Sequence, residues 1–234
     1  MSGVKIEPFN IQVNGGGNVS QFDLWTDFNV VQTIGDARLN YLHNISLASA
    51  AGNTYSISAV NNIDFVITGT SGVPGSNYAT WNPTSLPGAK NVEQFSEALI
   101  IDNTTTFRGG LCVCISGDGN LMSTGSGNNN GYFLETVRDA GTMRIIRVVN
   151  NTAVILTTFA GPALGDKVSF TAQFIVGNTR LKVYYNEVLQ TTFDDATAIK
   201  TGLPGFWSRE SNAGTILRIR SLRCGKLTRI GFPL

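Results

Sequence analysis

Residues 165–209 constrain the fold of this chain more than any other stretch. Val168, Phe170, Ala172, Phe174 and Val176 alternate with Lys167, Ser169, Thr171 and Gln173. Successive side chains of a β-strand point to opposite faces, so a period of two marks a strand with one face buried. Gly177-Asn178 tolerates positive φ and predicts a tight turn. Leu181, Val183 and Tyr185 then alternate with Lys182, Tyr184 and Asn186, and Asn186-Glu187 marks a second reversal into residues 188–193. This pattern predicts three consecutive antiparallel strands. Thr201-Gly202-Leu203-Pro204-Gly205 reads as a rigid corner feeding Phe206-Trp207.

The same period recurs along the chain. It predicts strands over 22–34, around Tyr55, Ile57 and Ala59, and over 65–67. Residues 38–47 read as strand or irregular structure. A helical turn near Val92 is expected to lead into a strand over 98–101, followed by a strongly apolar central strand over 107–116. Strands over 132–137, 143–149 and 154–159 are separated by reversals at Gly141 and Asn150-Asn151, and a last strand covers 216–223. Two segments, 69–90 and 117–131, lack the alternation and read as long polar loops. The chain is therefore expected to be all-β: an N-terminal arm over 1–17 ending in Gly15-Gly16-Gly17, one sandwich over 18–224, and an apolar tail over 225–234.

Composition narrows the partners. Charged residues make up 14% of the chain and the formal net charge is +1, well below the roughly 25% charged content of ordinary domains. Polarity comes from amides, hydroxyls and 26 glycines. This composition does not suit a nucleic-acid binder, which wants a basic surface or stripe. No apolar run approaches the length of a membrane span, and the first residues show no leader-like apolar segment. The three cysteines do not make a disulfide framework. Cys112 and Cys114, two apart in a strand, present parallel Cβ directions unsuited to a bridge, so buried thiols in a reducing compartment are expected.

No residue pattern carries recognisable catalysis. His43 is the only histidine, no Gly-x-Ser-x-Gly elbow surrounds a serine, and no phosphate loop follows a strand. Asp118 in Gly117-Asp118-Gly119-Asn120 is a single carboxylate, whereas calcium takes six or more oxygens. Adjacent Asp194 and Asp195 would point to opposite faces of a strand. The expectation is no enzyme, no metal and no cofactor. Candidate ligand contacts are Tyr78 and Trp81 in the first long loop, Asn128, Asn129 and Asn130 in the second, and Trp207. Aromatic faces stack on sugar rings and amides supply both donors and acceptors.

From Tyr132 to Cys224 the order of features resembles the concanavalin A-like lectin/glucanase jelly-roll superfamily, laminin-G-like modules in particular. The resemblance is carried by Tyr132-Phe133-Leu134-Glu135-Thr136-Val137 with residues 144–149. It continues through Gly165-Asp166-Lys167-Val168, Leu181-Lys182-Val183-Tyr184-Tyr185-Asn186 and Thr201-Gly202-Leu203-Pro204-Gly205-Phe206. It implies a jelly-roll sandwich of two antiparallel sheets. Glucanases of that superfamily carry Glu-x-Asp-x-x-Glu on one strand, and the motif does not occur here. Two functions are compatible with such a module. The first expectation is a structural protein of a virus particle, such as a phage capsid-decoration, fibre or tail component, made in the host cytoplasm. Its partners would be other virion proteins and further copies of itself, met through the two terminal arms. The alternative is a carbohydrate-binding module or host-glycan adhesin, a virion-surface or extracellular protein whose partner is a surface glycan.

Overall fold

In a computed structural model the described residues are 24–27, 42–43, 53–57, 65–69, 75–81, 94–103, 108–116, 130–137, 140–210 and 216–226. They form fifteen strands. These are β1 (Leu24–Asp27), β2 (Leu42–His43), β3 (Asn53–Ile57), β4 (Phe65–Gly69), β5 (Gly75–Trp81), β6 (Gln94–Asn103), β7 (Arg108–Ser116) and β8 (Asn130–Val137). There follow β9 (Thr142–Val149), β10 (Thr152–Ala160), β11 (Lys167–Ile175), β12 (Asn178–Tyr185), β13 (Val188–Asp195), β14 (Leu203–Glu210) and β15 (Ile216–Lys226). One sheet has the order β13-β12-β11-β6-β15-β4-β3, and β1 pairs the second half of β15 beside β4. The other has the order β10-β9-β8-β7-β14-β5-β2. The ladders are antiparallel, and the two sheets stack as a jelly-roll β-sandwich, the fold class expected from the sequence.

The tight reversals show why the strands pair as they do. Asn150 and Asn151 have φ of 48° and 63°, and Asn186 and Glu187 have 48° and 71°. Positive φ at both central residues gives the turn whose twist matches a hairpin. The third turn differs from expectation. It falls on Val176 and Gly177, at φ of 38° and 88°, one residue earlier than Gly177-Asn178. The buried pairs set it: Phe170 opposes Val183 and Ala172 opposes Leu181, which forces Asn178 opposite Ile175. A slip of one residue would turn every one of these side chains out of the core. Val176 therefore takes a left-handed conformation and stands 95% exposed.

Other elements also depart from the sequence expectation. Residues 75–81, read as part of a loop, form β5 and pair with β14. The helical turn expected near Val92 begins outside the described residues, and β6 is already a strand at Gln94, ahead of the strand expected over 98–101. The expected corner at Leu203-Pro204-Gly205 is the start of β14. Residues 225–226 of the expected tail extend β15. The arm over 1–17, the remainder of the tail and residues 117–129 lie outside the described residues.

The core lies between the sheets. Ala98, Val168, Phe170, Ala172, Leu181 and Val183 from the first sheet meet Leu111, Val113, Leu134, Met143, Ile145 and Phe206 from the second, each nearly or wholly buried. Cys112 and Cys114 are buried thiols outside any disulfide, as expected. Cys114 does not continue the strand regularly. Its φ is 58°, the β7–β8 register shifts after Val113 and the β14–β7 register shifts between Leu203 and Gly205.

Side chains of the opposite sheet close these irregularities. Gln94 Nε2 donates to Gly202 O at 3.3 Å, and Gln94 Oε1 accepts from Cys114 N–H at 2.8 Å. Ser96 Oγ donates to Cys112 O at 2.7 Å and accepts from Gly205 N–H at 2.9 Å. Buried backbone groups that lose their ladder partners need others, and two residues of β6 supply them. Gly202 makes room: a Cβ there would lie 2.2 Å from the carbonyl carbon of Cys114.

A second tie joins the sheets at their edge. Tyr132 Oη donates to Asp195 Oδ2 at 2.7 Å, and Arg147 Nη1 donates to Asp195 Oδ1 at 2.6 Å. Thr197 N–H donates to the same carboxylate, and Ile199 N–H donates to Tyr132 Oη. Burial, reinforced by the Asp195 carboxylate, pushes the Tyr132 phenol well above its ordinary pKa. Asp194 points the other way, as the sequence predicts, and accepts two bonds of 2.8 Å from Arg180. That guanidinium holds the Asp194 carboxyl below its ordinary value.

Ser96→Ala leaves Cys112 O and Gly205 N–H without their partner and is expected to cost about 1–3 kcal/mol per stranded group, read from denaturant unfolding. Asp195→Ala leaves the Arg147 charge uncompensated in a site where it is 18% exposed and is expected to cost about 3–5 kcal/mol. Asp194→Ala, one residue away on the solvent side, is expected to leave the unfolding midpoint nearly unchanged.

Candidate functional site

Because Tyr132 and Arg147 reach inward to Asp195, the alternate residues of β8 and β9 face outward. This outer face of the seven-stranded sheet carries Phe133 and Glu135 on β8, with Ile146 and Arg144 directly across the ladder on β9. Phe133 belongs to an apolar cluster with Cys112, Ile115, Val148 and Trp207, against which Ile146 packs. The Phe133 and Trp207 rings meet edge-to-face at 5.3 Å between centroids and 76° between planes. Trp207 sits opposite Gly110 in the β14–β7 ladder, and its Nε1–H donates to Leu134 O, one strand further on, at 3.0 Å. The indole spans β7 at the position of Gly110. A Cβ at Gly110 would lie 2.3 Å from Leu134 O, so only glycine fits there.

Beyond the cluster the face turns polar. Glu135 is 4% exposed and its Oε2 lies 3.5 Å from Arg144 Nη1. The Arg144 side chain is 33% exposed, so it forms the open side of the pair. Arg108 lies opposite Val137, two residues along β8 from Glu135. Thr142, two residues along β9 from Arg144, has a buried Oγ1 without a hydrogen-bond partner. The arrangement is a partly exposed Arg144 guanidinium held by a buried carboxylate, with a packed apolar aromatic cluster at one end. The exposed edge of Arg144 suits a ligand that offers oxygen acceptors.

The residues singled out from the sequence fall in different places. Tyr78 occupies the β5 position across the ladder from Trp207, so the two positions share this face. Trp81, three residues on, has the opposite parity and lies across from Leu42. Trp207 is 3% exposed and its N–H is engaged, which makes it a packed floor to the face rather than an open stacking platform. Asn130 is the first residue of β8, and its Oδ1 accepts from Asn150 N–H at 3.0 Å, so it anchors the β9–β10 turn. Asn128 and Asn129 lie outside the described residues. Glu135 and Arg144 were not singled out. The ladder sets Val137 against Thr142 and Glu135 against Arg144, so it is centred between residues 139 and 140; a count outward from Gly141 would have set Glu135 against Arg147 instead. Among the described residues no group of three or more His, Cys, Asp or Glu side chains could hold a metal ion.

No protein-family model matches the sequence, and no curated protein matches it significantly. Solved structures do match the fold. A GlcNAcα1-4Gal-releasing endo-β-galactosidase from Clostridium perfringens superposes with a TM-score of 0.55 at 13% identity, over 87% of this chain and 62% of that one. The carbohydrate recognition domain of Emp46p, in its metal-free form, gives 0.52 at 11% identity over 86% of this chain and 98% of that one. A native glycosidic hydrolase gives 0.52 at 7% identity over 93% and 100%. The fold is a lectin-like jelly roll. Within it the resemblance read from residues 132–224 finds its structural counterpart at the level of architecture.

The Gly110–Trp207 contact sets the floor of this face and can be tested directly. Gly110→Ala is expected to push β7 from β8 or expel the indole, lowering stability by about 1–3 kcal/mol. A thermal or denaturant midpoint equal to that of the unsubstituted protein would refute the packing described.

Proposed function

We propose that this chain is a non-catalytic carbohydrate-binding module, and that glycans contact the outer face of the seven-stranded sheet around Arg144 and Glu135. The observation that carries this is the Glu135–Arg144 pair, set beside the Phe133–Trp207 cluster on one face of a lectin-like fold. The buried Glu135 carboxylate fixes the Arg144 guanidinium, whose remaining N–H groups donate to ring and hydroxyl oxygens from the exposed side of the pair. Glycoside hydrolysis needs two facing carboxylates, and among the described residues of this face Glu135 is the one carboxylate. The assembly function expected first from composition draws no support from the neighbours, whereas the sugar-binding alternative fits the fold they share.

A glycan array probed with the whole chain, followed by titration calorimetry on the best ligand, tests this. Arg144→Ala and Glu135→Gln are each expected to weaken binding by roughly ten- to a hundredfold, the equivalent of one hydrogen bond to a charged group. Arg180→Ala, on the outer face of the other sheet, is expected to bind normally. Binding unaltered by both substitutions, or no glycan retained at millimolar concentration, would overturn the assignment.

A further inference from the structure

The two sheets end on one side of the sandwich in strands of different character. β13 closes the eight-stranded sheet and β10 closes the seven-stranded one. They run along the same side: Phe159 of β10 stacks on Tyr185, the ladder partner of Val188, and Tyr185 Oη donates to Ala160 O at 2.7 Å. An edge strand presents a row of backbone N–H and C=O groups ready to pair with another strand, and natural edges are normally blunted by charge, proline, bulges or short length. β13 carries two such charges: Asp194 is exposed beside Arg180, and Asp195 points inward.

β10 has far less protection. Its nine residues, Thr-Ala-Val-Ile-Leu-Thr-Thr-Phe-Ala, include no charge and no proline. Its one irregularity is the register shift between Ile155 and Thr157, which leaves the four residues before it, Thr152 to Ile155, regular and exposed. Val154 is 43% exposed and Ile155 is 53% exposed, and as neighbours in a strand they stand on opposite faces of the sheet. Both sides of the edge are thus apolar and open. Val188 and Leu189 on β13, at 63% and 50% exposure, extend the apolar side.

We infer that β10 pairs antiparallel with β10 of a second copy of this chain about a two-fold axis, through Thr152 to Ile155. The choice of occupant rests on charge. Antiparallel pairing of a strand with itself sets each residue against a residue of the same strand, and like charges directly opposite are destabilising. A strand with no charge meets no such penalty. The chain as a whole, at a formal net charge of +1, opposes approach of a second copy only weakly. The pairing brings β-branched residues across the new ladder, where they pack well. It joins the two seven-stranded sheets edge to edge. The inference is independent of the sugar-binding proposal, since β10 lies at the margin of that face.

Analytical ultracentrifugation of the whole chain tests it across roughly micromolar to hundred-micromolar concentration. The expected result is a concentration-dependent shift from 25.1 kDa to twice that mass. Val154→Lys and Ile155→Lys, at exposed positions that tolerate charge, are each expected to hold the protein at the monomer mass, with an unchanged far-ultraviolet spectrum showing that it is folded. Hydrogen exchange gives a second readout, in which amides of 152–155 gain protection on raising the concentration of the unsubstituted chain. A monomer at every concentration overturns the proposal. So does a dimer that survives both substitutions, or one that leaves the exchange of 152–155 unaltered, because the interface would then lie elsewhere.

Discussion

The hydrogen bonds that Gln94 and Ser96 send across the sandwich hold the rest of the structure in place. The β7–β14 seam cannot be a regular ladder: Cys114 adopts a left-handed conformation, and the pairing slips between Leu203 and Gly205. Such a slip takes partners from buried backbone groups, which is costly unless other donors and acceptors arrive. Four of those groups, on Cys112, Cys114, Gly202 and Gly205, meet the amide and hydroxyl of two β6 residues. The seam can therefore shift without loss. The shifted β14 brings Trp207 opposite Gly110 and lets its indole reach Leu134. A polar pair inside the sandwich thus governs the shape of the apolar floor outside it.

The seven-stranded sheet consequently has two differentiated faces. Its inner face supplies core and, through Tyr132 and Arg147, a polar clamp on Asp195. Its outer face supplies packed aromatic rings and a guanidinium–carboxylate pair with one side open to solvent. The pair's partial burial matters for recognition. A guanidinium already held by a buried carboxylate has less freedom to lose on binding, so less of a ligand's interaction energy is spent on ordering the protein. The edge at β10 adds an apolar margin to the same sheet, in contrast to the acidic end of β13.

Much of this was legible in the sequence because period-two alternation is a local property. Residues 167–175, 178–185 and 188–195 declare their buried and solvent faces one residue at a time, and the hairpins at Asn150-Asn151 and Asn186-Glu187 carry residues suited to positive φ. The opposite orientations of Asp194 and Asp195 also follow from parity alone. The turn at Val176-Gly177 was missed because its position is dictated by buried pairs further along the two strands it joins, whose alignment outweighs the local preference of a β-branched residue.

The site divides along the same line. Parity tells which residues of each strand share a face, but the Gly141 reversal does not set Glu135 against Arg144, because the ladder is centred between residues 139 and 140. Nothing local announces that residues 75–81, rich in loop formers, become a strand beside β14, or that Trp207 is floor rather than platform. The sequence by itself determined an all-β chain, its main hairpins and which residues of each strand share a face. Tertiary structure alone decided which strands meet across the sandwich, where the ladder slips and what Gln94, Ser96 and Asp195 bind. The physical reason is range. Side-chain alternation is encoded between neighbours two residues apart, whereas a buried donor finds its acceptor across a sheet, as Gln94 does 108 residues away at Gly202.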